Sequence, residues 1–288
     1  MNVDKKSLNV FFAVDANYLV HFTVTLTSLL ENNKNLDISV YVIHDFKNVE
    51  LLEEVTGFFN KNYNLKIFLI KVNDCVFDNF HISMYISKAT YFRLLFADII
   101  PLDVISGLYI DCDIVVAGPL DQLIDLNFAN TNSDDEYSIL AVDDKNGGNE
   151  IKRFNQLGFS TPRYFNAGVM YINLSKWRAD RVSEKLIKIA EEYKSKLVWW
   201  DQDVLNIHFI NKSGYLDSTF NSLPDKKQPS IPTIIHYSGS SKPWQYFNTH
   251  PYKDIYWKYL RLTPFKNEKF ENVTIRMRLK KLINTLRR

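Results

Sequence analysis

Apolar positions recur along the first part of the chain with two alternating periods. Leu8 to Val14 is an apolar and aromatic run, and from Tyr18 to Leu30 the residues Leu19, Phe22, Leu26 and Leu29 return at helical spacing. This predicts a strand followed by a helix. The alternation repeats through Ile38 to Ile43, Val49 to Phe59 and Leu65 to Ile70, the pattern of parallel strands joined by crossover helices. Farther on, Ser87 to Ala97 predicts a helix stopped near Pro101, and Gly107 to Val116 an apolar run interrupted by two acids. Phe165 to Leu174 predicts a strand, Ser175 an N-cap for a helix to about Tyr193, and Asp201 to Ile210 a shorter helix. The polar runs Asn130 to Tyr137 and Asp143 to Lys152, the second containing Gly147 and Gly148, read as surface loops. Lys226 to Pro232 reads as a loop into a short strand, Thr233 to His236. No internal repeat is present, and the whole reads as an α/β sheet flanked by helices.

Composition narrows the class of function. A chain of 288 residues that is 46% hydrophobic can bury a large core. With 35 Lys and Arg against 33 Asp and Glu, the net charge of +2 supplies no global field for nucleic acid, so no nucleic-acid partner is expected. Two cysteines, Cys75 and Cys112, make neither a disulfide framework nor a zinc spacing and point to a reduced, cytoplasmic setting. No stretch is long and apolar enough to span a membrane, and the N-terminal apolar run reaches only a strand's length before Asp15. The last segment, Val273 to Arg288, sets Ile275, Leu279, Leu282, Ile283 and Leu286 on one helical face beside six Lys and Arg. Such a helix either rests on an anionic membrane or packs on the core with a solvated basic face.

Three clusters carry candidate chemistry. Asp111 and Asp113 follow an apolar strand and flank one residue, so both carboxylates can converge on one hard divalent cation that also holds a diphosphate. Acids so spaced also serve as turn formers or helix caps, but the carboxyl end of a strand is where ligands bind in open α/β sheets. In IIHYSGSSKPW, an apolar strand ends in His236 and turns through Gly239 to Lys242. That arrangement suits either an anion clamp with an imidazole ligand or an ordinary turn beside a satisfied histidine. Asp201, Gln202 and Asp203 follow Trp199 and Trp200; one acid of the group can be a helix cap, while a carboxylate and an amide beside indoles suit a sugar. Asn166 is either a buried amide bracing a turn or a ligand contact.

Taken in order, FFAVDANYLVHFTVTLTSLL at 11–30, ATYFRLLFADIIP at 89–101, LYIDCDIVV at 108–116, YFNAGVMYINLSKW at 164–177, WDQDVLN at 200–206 and HYSGSSKPW at 236–244 resemble the retaining glycosyltransferases of family 8. The resemblance is to the bacterial enzymes that build lipooligosaccharide and lipopolysaccharide with galactose and glucose. It implies a GT-A nucleotide-diphospho-sugar transferase fold, a Rossmann-like mixed sheet flanked by helices, over residues 1–265, with a basic tail at 266–288 in peripheral contact with the inner membrane. It implies a UDP-hexose donor, galactose before glucose, and a glycan or glycolipid acceptor. By the same resemblance Asp111, Asp113 and His236 bind manganese, with magnesium as the alternative ion. Ala13, Asp15, Asn17, Arg93 and Cys112 join the donor site, Gly239 and Lys242 grip the diphosphate, and Asn166, Asp201 and Gln202 line the sugar. Gln202 and Asp201 are the catalytic candidates, with Gln202 on the face where a retaining reaction needs a nucleophile or a stabilising group.

The chain departs from relatives at Ala16, where several have an acid or another small residue, and at Tyr85, in the acceptor-facing segment Ser83 to Lys88, where some lactose-binding relatives carry histidine. The region 130–162 is implied to form loops over the donor that order on binding. Three rivals remain: a donor-binding protein without catalysis, a phosphoryl-transfer enzyme, for which no P-loop is present, and a self-glucosylating enzyme of the glycogenin kind.

Overall fold

The computed structural model describes residues 5–73, 89–130 and 135–271. Expectations for Cys75, for the segment 83–88 with Tyr85, and for the tail from Val273 lie outside these residues. In chain order the elements are β1 (Ser7–Val14), α1 (Leu19–Asn32), β2 (Asp37–His44), α2 (Glu50–Tyr63), β3 (Lys66–Lys71), α3 (Ala89–Phe92), α4 (Phe96–Ile99), β4 (Ser106–Ile110) and β5 (Ile114–Val116). They continue as α5 (Asp121–Ile124), β6 (Ile139–Asp143), α6 (Gly147–Gln156), β7 (Phe165–Asn173), α7 (Leu174–Ala179), α8 (Val182–Glu192), α9 (Trp200–His208), β8 (Ser213–Tyr215), β9 (Ile234–His236) and α10 (Lys253–Leu260).

Among the described residues the strands form a seven-stranded sheet in the order β3-β2-β1-β4-β7-β6-β8 and a two-stranded sheet of β5 and β9. β1, β2, β3 and β4 run parallel, whereas β7 is antiparallel to both β4 and β6, so the sheet is mixed. Period-two alternation decides which side chains serve which face. Val10, Phe12 and Val14 pack with Phe22, Leu26 and Leu29 of α1 and Leu52, Val55 and Phe59 of α2. Phe11 points the other way, into the layer holding Phe96, Tyr109, Trp177 and Leu186. Each such fully buried side chain contributes roughly 1.5–3 kcal/mol of transfer free energy. Among the described residues no helix is long and apolar enough to cross a membrane.

Several elements differ from the sequence expectation. The run 107–116 is two strands in two sheets, broken at Asp111 to Asp113. Within 87–97 the described residues form two short helices around a 3-10 turn, Arg93–Leu95; the Arg93 Nε donates to the Thr90 carbonyl at 3.1 Å, and the tighter turn directs the guanidinium inward. The helix after β7 is capped by Asn173, whose side chain accepts from the Lys176 amide, and not by Ser175. It breaks where Arg181 takes a left-handed φ of 52° before α8. The region 135–162 is not a set of loops. It contains β6 and α6, an amphipathic helix whose buried face is little more than Gly147 and Phe154, too narrow a stripe to show in the sequence. Past α10, Glu271 N donates to Trp244 O at 3.0 Å, so the chain stays attached to this body through residue 271.

Candidate active site

Strand pairing on both sides forces the turn at 111–113. Ile110 ends β4 opposite Val169 of β7, and Asp111 N still donates to Gly168 O at 2.8 Å; three residues on, Ile114 belongs to the other sheet, opposite His236. The chain crosses between sheets within Asp111–Cys112–Asp113, which delivers both carboxylates beside His236. From α1 the Thr25 hydroxyl lies 2.9 Å from the Cys112 carbonyl and 2.7 Å from that of Ile114, pinning the crossing. Cys112 turns its thiol inward, 3.5 Å from Ala13 O. Burial, and then the adjoining carboxylates of Asp111 and Asp113, push that thiol well above its ordinary pKa, so it packs there as a neutral thiol.

One oxygen each from Asp111 and Asp113 and one ring nitrogen of His236 lie within 4.8 Å of one another, so these donors can hold a metal ion. Two carboxylates and an imidazole suit a borderline-hard divalent cation that leaves positions open to phosphate. The cradle beneath them is made by a missing side chain: a Cβ on Gly168 would stand 2.3 Å from His236 Cε1 and 2.9 Å from Asp111 Oδ2. Glycine is therefore required at 168 for the approach of the ligand set. On Asp113, Oδ1 lies 3.3 Å from His236 Nε2 and Oδ2 accepts from Lys242, whose ammonium also donates to Tyr237 O at 2.9 Å. Burial alone would raise the Asp113 pKa, but Lys242 and His236 outweigh it and hold the carboxyl far below the usual range.

Lys242 reaches this point from the exposed turn 238–241, where Gly239 adopts a left-handed φ of 85°. The far end of the turn is anchored by Trp244, stacked on His21 of α1 with ring centroids 3.4 Å apart, and His21 Nδ1 lies 2.7 Å from the Tyr256 hydroxyl. Burial lowers the His21 pKa to about 3, so this histidine is a neutral packing element at physiological pH.

A second group surrounds the carboxyl end of β7. Arg93 is buried and bridges two acids: its guanidinium lies 2.8 Å from Asp111 Oδ1 and 3.1 Å from Asp201 Oδ2, donates to Ala167 O at 2.9 Å, and stacks over Tyr109. Tyr109 also donates to Asp111 Oδ1. Arg93 thus serves the site by orienting its carboxylates. Burial raises the Asp201 pKa to about 7; Arg93 opposes this and Asp111 adds to it, since one guanidinium is shared by two carboxylates. The capping acid of the trio is Asp203, fully buried, which accepts from Val198 N at 2.7 Å and Trp199 N at 3.0 Å, while its other oxygen takes Arg153 and the Tyr164 hydroxyl. These four bonds support Trp200 at a φ of 40°, a conformation costing on the order of 1–2 kcal/mol, and so release Asp201 and Gln202 for the site. Gln202 Oε1 accepts from Ala167 N at 2.9 Å, and Asn166 Oδ1 from Gly168 N at 3.0 Å. Both amide groups meet Asp144, whose Oδ2 lies 2.9 Å from Asn166 Nδ2 and 3.4 Å from Gln202 Nε2.

The structure therefore joins Asp111, Asp113, His236 and Lys242 at one end and Arg93, Asn166, Asp201 and Gln202 at the other. Ala13 and Asp15 lie at the end of β1; Asp15 Oδ1 caps the following turn by accepting from Tyr18 N at 3.0 Å, and Asn17 is exposed. Tyr18 and Asp144 also belong to the site, though the sequence reading did not single them out. Tyr18 stands edge-on to Trp244, its phenol raised in pKa by burial and then by Asp113. Asp144 follows β6; an acid after the short apolar run ILAVD repeats the signal that marked Asp111.

The profile of glycosyl transferase family 8 matches residues 9–248. A lipopolysaccharide 1,2-glucosyltransferase of Escherichia coli is 30% identical over 281 residues, 92% of this chain and 81% of its own length. A lipopolysaccharide 1,3-galactosyltransferase of Salmonella typhimurium strain LT2 is 30% identical over 264 residues, 86% of this chain and 76% of its own. Among solved structures, the galactosyltransferase LgtC, crystallised with donor and acceptor sugar analogs, superimposes with a TM-score of 0.78 at 25% identity, covering 95% of this chain and all of that one. The match over most of the chain, together with the mixed sheet and the acidic crossing between its two sheets, makes this protein a member of glycosyl transferase family 8, with the GT-A fold.

Proposed function

We propose that the chain is a retaining hexosyltransferase that moves galactose, or in its place glucose, from a UDP-sugar to a glycan or glycolipid acceptor in surface-polysaccharide synthesis. The observation that carries this reading is the continuity of the site: Asp111 and His236 crowd against Gly168 of β7, and the side chains of Gln202 and Asn166 accept from the N–H groups of Ala167 and Gly168, so the cation donors and the amide pair meet at one strand end. The relatives divide between glucose and galactose, one axial or equatorial hydroxyl apart, and that choice rests on hydrogen-bond geometry. The catalytically silent alternative is not favoured, since the carboxylates, the imidazole and Lys242 are all in place, and the self-glucosylating one is not favoured because two relatives that match over most of their length are lipopolysaccharide transferases.

Asp111, Asp113 and His236 would hold the cation, manganese by preference, and when bound it supplies positive charge against the departing diphosphate. Lys242, already beside Asp113, adds a second positive charge within reach of the same phosphates. On the sugar side, Asn166, Asp201 and Gln202 orient hydroxyls. The Gln202 carbonyl oxygen, the only atom of that side chain able to attack an anomeric carbon, is tied to the Ala167 amide. An attack from it would sacrifice a backbone hydrogen bond and use a poor nucleophile. Front-face delivery of the acceptor hydroxyl, its proton passing to the departing diphosphate oxygen, requires neither. The basic tail would meet anionic lipid at the cytoplasmic face of the membrane, a reading that rests on its sequence pattern.

Release of UDP from a panel of UDP-sugars, with and without manganese, tests the reading. Turnover of UDP-galactose or UDP-glucose that needs the cation and yields an α-linked product supports it. Absence of both turnover and calorimetric binding for every UDP-sugar would overturn it. Gln202→Ala is expected to lower kcat by about 10- to 100-fold through lost orientation while keeping the anomeric configuration. Turnover below detection in this variant, with a trappable glycosyl adduct on Gln202 in the wild type, would restore the nucleophile.

A further inference from the structure

The direction of each hydrogen bond at the site can be deduced from two atoms that can only donate, the backbone amides of Ala167 and Gly168. Gly168 N faces the Asn166 side chain at 3.0 Å, so the atom it meets is the carbonyl Oδ1, and the Asn166 Nδ2 is the atom that faces Asp144 at 2.9 Å. Asn166 Oδ1 receives a second bond, at 2.9 Å, from the side chain of Asn221, which must therefore present its Nδ2. That leaves Asn221 Oδ1, an acceptor only, facing His236 Nδ1 at 2.9 Å, so Nδ1 carries the proton. The imidazole is thereby committed to direct the Nε2 lone pair at the carboxylates, where Asp113 Oδ1 stands 3.3 Å away. Two electron-rich atoms facing each other at this distance are suited to share a cation. From Asp144 the connection continues to Gln202, whose own orientation is set by Ala167 N.

Asn221 is fully enclosed, 2% exposed, and its backbone is held in place: Ser222 N donates to Ile234 O at 3.0 Å and His236 N to Ser222 O at 2.9 Å, which straps the turn Ser218–Asn221 alongside β9. Nothing in the sequence around it, STFNSLPD, marks this asparagine. We propose that Asn221 is a positioning residue that fixes the tautomer of His236 for cation binding and, through Asn166 and Asp144, ties the cation end of the site to Gln202 at the sugar end. The cation part of this inference rests on the transferase reading; the tautomer part does not. Asparagine is suited to the post because one side chain offers an acceptor to the imidazole and a donor to the next amide, whereas leucine offers neither and aspartate only the first.

The test uses the full chain labelled with 15N-histidine, in chelator, with the His236 signal among the six histidines assigned by its loss in His236→Gln. The wild type should show the Nδ1–H tautomer. Asn221→Leu should lose it and bind manganese about 10- to 100-fold more weakly by calorimetry in the absence of donor, the usual effect of removing a partner behind a metal ligand. Asn221→Asp should keep both the tautomer and, within about threefold, the cation affinity, while kcat falls about tenfold because an acceptor now faces Asn166 Oδ1. An unchanged tautomer and affinity in Asn221→Leu, or, should that variant not fold, an unchanged kcat in Asn221→Asp, overturns the proposal. Failure of the wild type to bind manganese would instead count against the transferase reading, and the tautomer comparison, made in chelator, would still decide the role of Asn221.

Discussion

Replacing Asp113 with alanine is expected to reduce turnover by at least about 10³-fold at saturating donor and manganese, the scale of removing a cation ligand that also neutralises a departing diphosphate. Two independent consequences follow from its position. The variant loses one of three donors to the cation, and it strands the Lys242 ammonium, which shares its burial with that carboxylate. Removing one partner of a buried pair costs about 3–5 kcal/mol, so the chelated variant should also melt early at neutral pH. The folded pKa of Asp113 is depressed, so its stabilisation is fully present above the unfolded value near 3.8 and is lost as pH falls through the folded pKa. The melting deficit of the variant should therefore be largest near neutrality and shrink under strong acid. Turnover within about tenfold of the wild type would remove Asp113 from the cation-binding trio.

Asp201→Asn is expected to do two opposite things: to lower turnover about 10²-fold and to gain stability relative to the wild type as pH rises. The origin is burial, which Arg93 only partly offsets because its guanidinium is shared with Asp111. Arg93 contacts both Asp111 and Asp201, and with burial the second carboxylate retains its proton up to a pKa of about 7. A carboxyl whose pKa is raised on folding binds more protons in the folded than in the unfolded chain, so it lowers stability progressively from about pH 4 to pH 7. Between pH 5.5 and pH 8 that loss amounts to about 2 kcal/mol, and asparagine does not incur it. Urea unfolding of both proteins in chelator at the two pH values measures it directly. A difference between variant and wild type that stays constant across this range would mean that Asp201 is ionised throughout.

The clusters around 111–113, 201–202 and 236–242 were legible because each breaks a local rule. Acids interrupt an apolar run, paired indoles precede an acidic helix start, and a histidine closes an apolar strand before a small-residue turn. The separate roles within each cluster were not legible. Asp201 and Asp203 are equivalent in sequence, but Asp203 receives two backbone amides, an arginine and a tyrosine, while Asp201 meets Arg93. Arg93 was expected to touch the donor; its position in a 3-10 turn, enclosed by Tyr109, Asp111 and Asp201, adds a role that the sequence did not show, the organising of two acids. Asp144 and β6 were passed over because four apolar residues between two polar runs resemble loop more than strand, and α6 because helical periodicity needs a wider apolar stripe than Gly147 and Phe154 provide.

By itself the sequence determined the class of fold and the chemistry of the site. Alternating periods specify strands and helices because the same side chains must reach a common core, and the order of six motifs identifies the family. Tertiary structure decided the rest. It split one apolar run between two sheets so that Ile114 pairs with His236 and Asp113 arrives beside the imidazole, and it made Gly168 the floor under both. It placed Asn221, anonymous in its own segment, between His236 and Asn166, residues 15 and 55 positions away along the chain. Periodicity is a local property and can be read along the chain, whereas the direction of a hydrogen bond or the sharing of one guanidinium depends on neighbours that only the folded register brings together.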